Sequence, residues 1–159
     1  MKFNNLKEVT KYFAELNKGN YYLDYFLEEG TVSLEWYEAI LEKVKKYKPK
    51  RVIDIGSSVN MFGYLFANEG IEYIGIDKDP QLKPIIGDNI RFIHANYYNV
   101  RDQFKDDIII SCLCVGYLIP VEDVKGKVLF VNELESIPNA KNKYQTKCIA
   151  KKIELNQEE

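Results

Sequence analysis

The chain has 159 residues, 46% of them hydrophobic, with 22 Lys and Arg against 24 Asp and Glu. That length accommodates one domain, 1–159, and the apolar fraction supplies an ordinary globular core, which excludes wholesale disorder. The net charge of −2 leaves no broad electrostatic footprint for duplex nucleic acid.

Apolar stretches such as 108–115 are far shorter than a membrane span and are broken by Ser111, Cys112 and Cys114. No basic segment followed by an apolar one opens the sequence, so no secretion signal is expected. Three cysteines, an odd count, suit a reducing cytosol better than a disulfide framework, and a cytoplasmic location is expected. Aromatics are unevenly spread: of the 12 Tyr, 8 Phe and 1 Trp, ten fall in the first 47 residues. Tyrosine joins apolar area to a hydroxyl, which suits either a core or the rim of a small-molecule pocket.

Leu6, Val9, Phe13 and Leu16 recur at helical spacing until Gly19 ends the pattern. Tyr21, Tyr22, Tyr25 and Phe26 then form an aromatic patch without clean period. Residues 1–32 are therefore expected to be a helical and aromatic cap, which either covers the sheet or closes over a substrate. A second helix starts near Ser33, with an inward stripe of Leu34, Tyr37, Ile40, Leu41, Val44 and Tyr47, and Pro49 closes it.

From Arg51 the rhythm becomes strand, turn, helix. Strands are expected at 51–55, 71–76, 90–94, 107–113 and 127–131, with a polar edge strand at 144–155. Residues 61–67 read as a helix with Gly70 just past its end. The central runs lack a polar alternate, as parallel strands covered on both faces do. The fold class is α/β: a mostly parallel, Rossmann-like sheet of about six strands flanked by helices, after an N-terminal helical segment.

Ligands of such sheets sit at the carboxyl ends of the strands, near the point where strand order reverses. After the first run come Asp54, Ile55, Gly56, Ser57, Ser58, Val59 and Asn60, where glycine allows a tight turn and the next helix offers free N–H groups. After the second comes Asp77, 21 residues past Gly56, placed to accept hydrogen bonds from ribose hydroxyls. Asn96 and Tyr97 follow the third and suit an adenine edge and face; an Asx-type loop device and a packing aromatic are the alternatives. Asp54 reads as a hydrogen-bond acceptor beneath the loop rather than a catalytic base. His94, the sole histidine, lies within a strand run and reads as a satisfied interior or interface residue. Cys112 and Cys114, two apart on an expected strand, share a face and read as small buried hydrophobes.

Residues 52–62 and 73–77, VIDIGSSVNMF and YIGID, resemble the first two motifs of class I S-adenosylmethionine-dependent methyltransferases. The resemblance covers roughly residues 33–132. It implies S-adenosylmethionine as cofactor, with Gly56 and its neighbours lining the methionine moiety and Asp77 holding the ribose. Asn96 stands where the family places an adenine contact, and Ser111 and Cys112 where it faces the methyl group. The expected cofactor-binding set is Asp54, Gly56, Ser57, Ser58, Asp77, Lys78, Asn96, Tyr97, Ser111 and Cys112. Ser58 and Asn60 replace the second and third glycines of the family pattern. No Asn/Asp-Pro-Pro-Tyr follows the fourth strand, and the stretch before Lys127 is too short for a crossover helix with its loops. The fold is therefore a reduced one.

The implied function is methyl transfer to a small-molecule acceptor, without duplex nucleic acid or membrane as partner and with no catalytic residue assigned. A non-catalytic S-adenosylmethionine-binding or interaction module is the alternative. Nicotinamide chemistry is disfavoured, because no Gly-x-Gly-x-x-Gly follows the first strand.

Overall fold

The computed structural model describes residues 8, 11–12, 15–17, 33–112, 114–116, 118–136 and 146–155. In chain order these form α1 (Ser33–Lys45), β1 (Arg51–Ile55), α2 (Met61–Asn68), β2 (Glu72–Asp77), β3 (Ile90–His94), α3 (Tyr97–Val100), β4 (Ile108–Ser111), β5 (Val128–Ser136) and β6 (Thr146–Glu154). The strands make one sheet in the order β3-β2-β1-β4-β5-β6. All neighbours are parallel except β5 and β6. The α/β expectation holds, and the edge position of the last strand with it. Order reverses between β1 and β4, which by the rule for open parallel sheets directs attention to the loops past Ile55 and Ser111.

Side-chain parity divides the core in two. Val52, Tyr73, Ile110, Val128 and Phe130 face α1 and α2, joined by Ile40, Leu41, Val44 and Phe66. Ile53, Ile55, Ile74, Ile76, Ile109 and Leu129 face the opposite way, under Tyr97, Phe104, Val115 and Val124. Asp54 interrupts this apolar pattern on the α1–α2 side.

Several boundaries differ from the expected ones, each for a local reason. α2 ends in a left-handed Gly70 at φ +73°. There Gly70 N–H bonds Ala67 O and Ile71 N–H bonds Phe66 O, both at 3.0 Å, so Ile71 belongs to the cap and β2 starts at Glu72. β4 stops at Ser111 because its hydroxyl accepts the N–H groups of Val115 at 2.9 Å and Cys114 at 3.3 Å and turns the chain. Cys112 therefore packs on the α1–α2 core and Cys114 on the other, and the two do not share a face. β5 runs on to Ser136, five residues beyond its expected end, because β6 pairs with it throughout. Tyr47 closes the expected stripe but is 43% exposed, edge-on to Phe130 at 5.4 Å.

Only α2 is a full crossover helix among the described connections. Residues 78–89 cross from β2 to β3 without one, and β4 reaches β5 with a single 3₁₀ turn at Val121–Asp123. In the N-terminal stretch Glu8, Lys11, Tyr12, Glu15 and Leu16 are helical, and Leu16 is 42% exposed instead of inward. Leu6, Val9, Phe13, Gly19 and the aromatic patch lie outside the described residues, as do Leu113 and Tyr144.

Candidate functional site

The turn after β1 is built from three left-handed residues: Gly56 at φ +71°, Ser58 at +52° and Asn60 at +63°. Gly56 and Ser57 both donate their N–H to Ile76 O, at 2.9 and 3.1 Å, which fastens the turn to the end of β2. A Cβ on Gly56 would meet Cys114 Cβ at 2.5 Å, so the β4 loop approaches this turn as closely as glycine allows. Ser58 and Asn60 keep the backbone conformation of the glycines they replace. Asparagine tolerates it; serine does so at a cost.

Asn60 is fully buried, and its Nδ2 donates to Ile85 O at 3.0 Å and Arg91 O at 3.2 Å. A Cβ on Gly75 would lie 1.9 Å from Asn60 Oδ1 and 2.5 Å from Ser57 Oγ. The missing side chain on β2 thus makes room for two polar ones from the turn.

Asp77 ends β2 half-buried. Its Oδ2 accepts the Ser58 N–H at 2.9 Å and its Oδ1 the Asp79 N–H at 3.0 Å. Asp54 is 1% exposed, and Tyr73 donates its phenolic hydrogen bond to Oδ2. Burial pushes the Asp54 carboxyl up to about 8, the Tyr73 bond opposes this, and the Asp77 charge adds to it. Burial likewise raises the Cys114 thiol to about 11, reinforced by Asp54 and Asp77 and opposed by Lys78. A thiol so raised is no ready nucleophile.

The other expected residues are engaged within the chain. Ser111 is buried, and besides its two accepted bonds its hydroxyl donates to Ile55 O at 3.3 Å. Cys112 Sγ accepts from Asn132 Nδ2 at 3.0 Å. Asn96 caps α3 by accepting the Tyr98 N–H at 3.1 Å, the Asx-type role. Tyr97 is 4% exposed in the second core, and its hydroxyl accepts the Lys125 N–H at 3.0 Å. Lys78 is exposed, with its carbonyl accepting from His94 Nε2 at 3.0 Å. His94 is thus satisfied but exposed, not interior.

The structure therefore brings Gly56, Ser57, Ser58 and Asp77 together at one turn, with Asp54 buried beneath it and Ser111 bonded to the end of β1. It turns the ring of Tyr97 into the core. Sequence reading missed Tyr73 and Asn132 and read Cys114 only as a small buried hydrophobe; the roles of all three depend on strand register and loop closure. Three buried atoms near the turn have no hydrogen-bond partner: Asp54 Oδ1, Ser57 Oγ and Asn60 Oδ1. Such atoms call for a donor, an acceptor or a water.

A separate recess of about 620 Å³, lined by Tyr47, Lys50, Arg51, Asp107 and Lys127, lies at the amino ends of the strands. It is at the wrong end for a ligand of this sheet type. Among the described residues no group of three His, Cys, Asp or Glu is arranged to hold a metal, and no helix is long and apolar enough to cross a membrane.

No protein-family model and no curated protein matches the sequence. Solved structures do share the architecture. An S-adenosylmethionine-dependent methyltransferase from Archaeoglobus fulgidus is 18% identical, with a TM-score of 0.51 over 73% of this chain and 59% of its own. One from Clostridium acetobutylicum is 16% identical, with a TM-score of 0.51 over 76% of this chain and 58% of its own. The chain has the class I methyltransferase fold. It spans less than two thirds of the length of these structures.

Proposed function

We propose that the chain binds S-adenosylmethionine in the crevice past β1, β2 and β4 and transfers its methyl group to a small-molecule acceptor. The observation that carries this reading is Asp77 held at the end of β2 by the Ser58 N–H, against the left-handed turn. Each Asp77 oxygen accepts one backbone N–H. A carboxylate oxygen can take two hydrogen bonds, so one position on each stays open for a ribose hydroxyl. Asp54 Oδ1, buried and unpartnered beneath the turn, carries the carboxyl proton near neutrality while Tyr73 donates to Oδ2, and so offers a donor to a water under the turn.

When bound, the cofactor supplies a methyl group already activated by a sulfonium. The chain's own part is then to hold and align, and to keep water out. Asp77 fixes the ribose, the Gly56–Asn60 turn gives the backbone close approach, and the β4 loop with Cys114 walls the crevice. A small acceptor fits this reading because the dense basic cluster, 43–51, lies at the other end of the sheet. A cytoplasmic setting fits Cys112 and Cys114, neither of which is in a disulfide.

Calorimetric titration with S-adenosylmethionine, S-adenosylhomocysteine and NAD tests it. Micromolar binding of the first two, with no heat from NAD, is expected; binding of NAD alone would overturn the reading. A second reading, a binding module without catalysis, is favoured by one observation: Cys114 packs directly on Gly56 and narrows the crevice at the switch point. Binding of the cofactor without methylated product across amine, hydroxyl and thiol acceptors would select it.

A further inference from the structure

We propose that Asn17 is a positioning residue for the candidate site, acting through the helix-free connection between β2 and β3. This rests on the cofactor reading above and adds to it a link between the N-terminal stretch and the cofactor turn. A connection without a helix cannot satisfy its own backbone, so its N–H and C=O groups must find partners elsewhere. Lys83 finds both in one side chain. Its N–H donates to Asn17 Oδ1 at 2.8 Å, and its carbonyl accepts from Asn17 Nδ2 at 3.3 Å. Asn17 is 8% exposed and 66 residues away in sequence.

Two residues on, Ile85 is clipped to the opposite partner. Its N–H donates to Val59 O at 3.0 Å, and its carbonyl accepts from Asn60 Nδ2 at 3.0 Å. Between the two stands Pro84, whose ring fixes φ and stiffens the link. Four hydrogen bonds thus use both backbone groups of Lys83 and of Ile85. One side of the clip is the N-terminal stretch. The other is the turn whose Ser58 N–H caps Asp77.

The pair is specific to asparagine. Aspartate keeps the acceptor for the Lys83 N–H but sets an oxygen against the Lys83 carbonyl, and leucine keeps the volume while losing both bonds. A ligand that fixes Ser58 and Asp77 fixes Asn60, then Ile85, and tightens the Asn17 clip. Reciprocity requires the clip to favour the ligand by the same factor.

The test uses the full chain with S-adenosylhomocysteine as probe, calorimetry for affinity and amide hydrogen exchange for the link. Wild type should show slower exchange at Lys83 and Ile85 on ligand addition. Asn17→Leu should weaken affinity about five- to tenfold and abolish that slowing at Lys83, with Asn17→Asp between the two. A merely structural Asn17 would lower the melting temperature without moving the affinity of the folded fraction. Equal affinity in wild type and both variants, or no ligand-dependent slowing at Lys83, overturns this inference and leaves the cofactor reading standing. A wild type that binds neither S-adenosylhomocysteine nor S-adenosylmethionine overturns both. Should Asn17→Leu fail to fold, the wild-type exchange and Asn17→Asp still decide.

Discussion

Tyr73 on β2 donates its phenolic hydrogen bond to Asp54 on β1, inside the core covered by α1 and α2. Burial dominates there and lifts the Asp54 carboxyl from 3.8 to about 8. The folded chain therefore holds this proton more tightly than the unfolded one. Its contribution is fully present below about pH 4 and is lost as pH rises toward about 8. Asp54→Asn keeps the shape and an acceptor for Tyr73 but cannot ionise. Its melting temperature should gain on wild type steadily from about pH 5 to about pH 8. Parallel curves over that range would show that Asp54 is not buried as described. Tyr73→Phe should cost about 1–3 kcal/mol in urea unfolding, because it orphans a second Asp54 oxygen.

Ser58 and Asn60 share a left-handed backbone but not its consequences. Among the described residues no hydrogen bond is made by the Ser58 side chain, and glycine would keep the backbone N–H bond to Asp77, so Ser58→Gly should stabilise the chain by roughly 1 kcal/mol through release of strain. Asn60→Gly releases little strain and loses the bonds to Ile85 and Arg91. It should destabilise by about 1–3 kcal/mol, since a buried carbonyl at Ile85 and a part-buried one at Arg91 lose their donor. Chemical denaturation of both variants checks the opposite signs, and like signs would defeat the account.

Gly56 and Cys114 should behave as a coupled pair. Gly56→Ala puts a Cβ 2.5 Å from Cys114 Cβ and strains a φ of +71°. The strain costs about 1–2 kcal/mol. Overlap adds about 1–3 kcal/mol. Cys114→Gly should return the overlap part only, whereas Cys114→Ala returns a smaller share, because the added Cβ meets both Cβ at 2.5 Å and Sγ at 2.6 Å and alanine removes only the sulfur. Additive losses in the double-mutant cycle would contradict this packing.

Asp77→Ala tests the site directly. Hydrogen bonds to a carboxylate are charge-assisted, so its removal should cost about 1.5–3 kcal/mol of S-adenosylmethionine affinity. Calorimetry on folded protein reads this, and unchanged affinity would remove Asp77 from the site.

What was legible in the sequence follows from range. β1 and β3 were read to the residue, because short apolar runs closed by Gly56 and by Asn96 carry local signals. Gly56 and Asp77 were legible as a pair, since both end strands. The proper end of β4 was not, because it is set by a Ser111 hydroxyl meeting N–H groups that arrive only after the turn. The Tyr73–Asp54 bond depends on register: Asp54 lies beside Gly75, and Tyr73 reaches up from the row below. The Asn17 clip spans 66 residues, and no local pattern announces it. Asn96 and Tyr97 show the reverse limit: residue types that suit adenine serve equally as a cap and a core ring.

The last prediction concerns nucleic acid, toward which the fold type and the composition point differently. Lys43, Lys45, Lys46, Lys48, Lys50 and Arg51 form a dense basic cluster. The structure sets it where α1 ends and β1 begins, at the amino edge of the sheet and opposite the crevice. Part of its charge is already engaged. Arg51 meets Asp107 through two bonds of 2.7 and 2.8 Å, and Lys45 lies 3.8 Å from Glu42 and 3.6 Å from Glu69. Lys43 and Lys45, in the last turn of α1, also complement the helix dipole. A duplex gripped there would have to wrap around the domain to reach a methyl group at the carboxyl ends. Binding to duplex DNA should therefore be no tighter than about 10⁻⁵ M at physiological salt, the weak non-specific range. A mobility shift at nanomolar protein, abolished when the six cations are neutralised, would overturn both this geometry and the small-molecule acceptor.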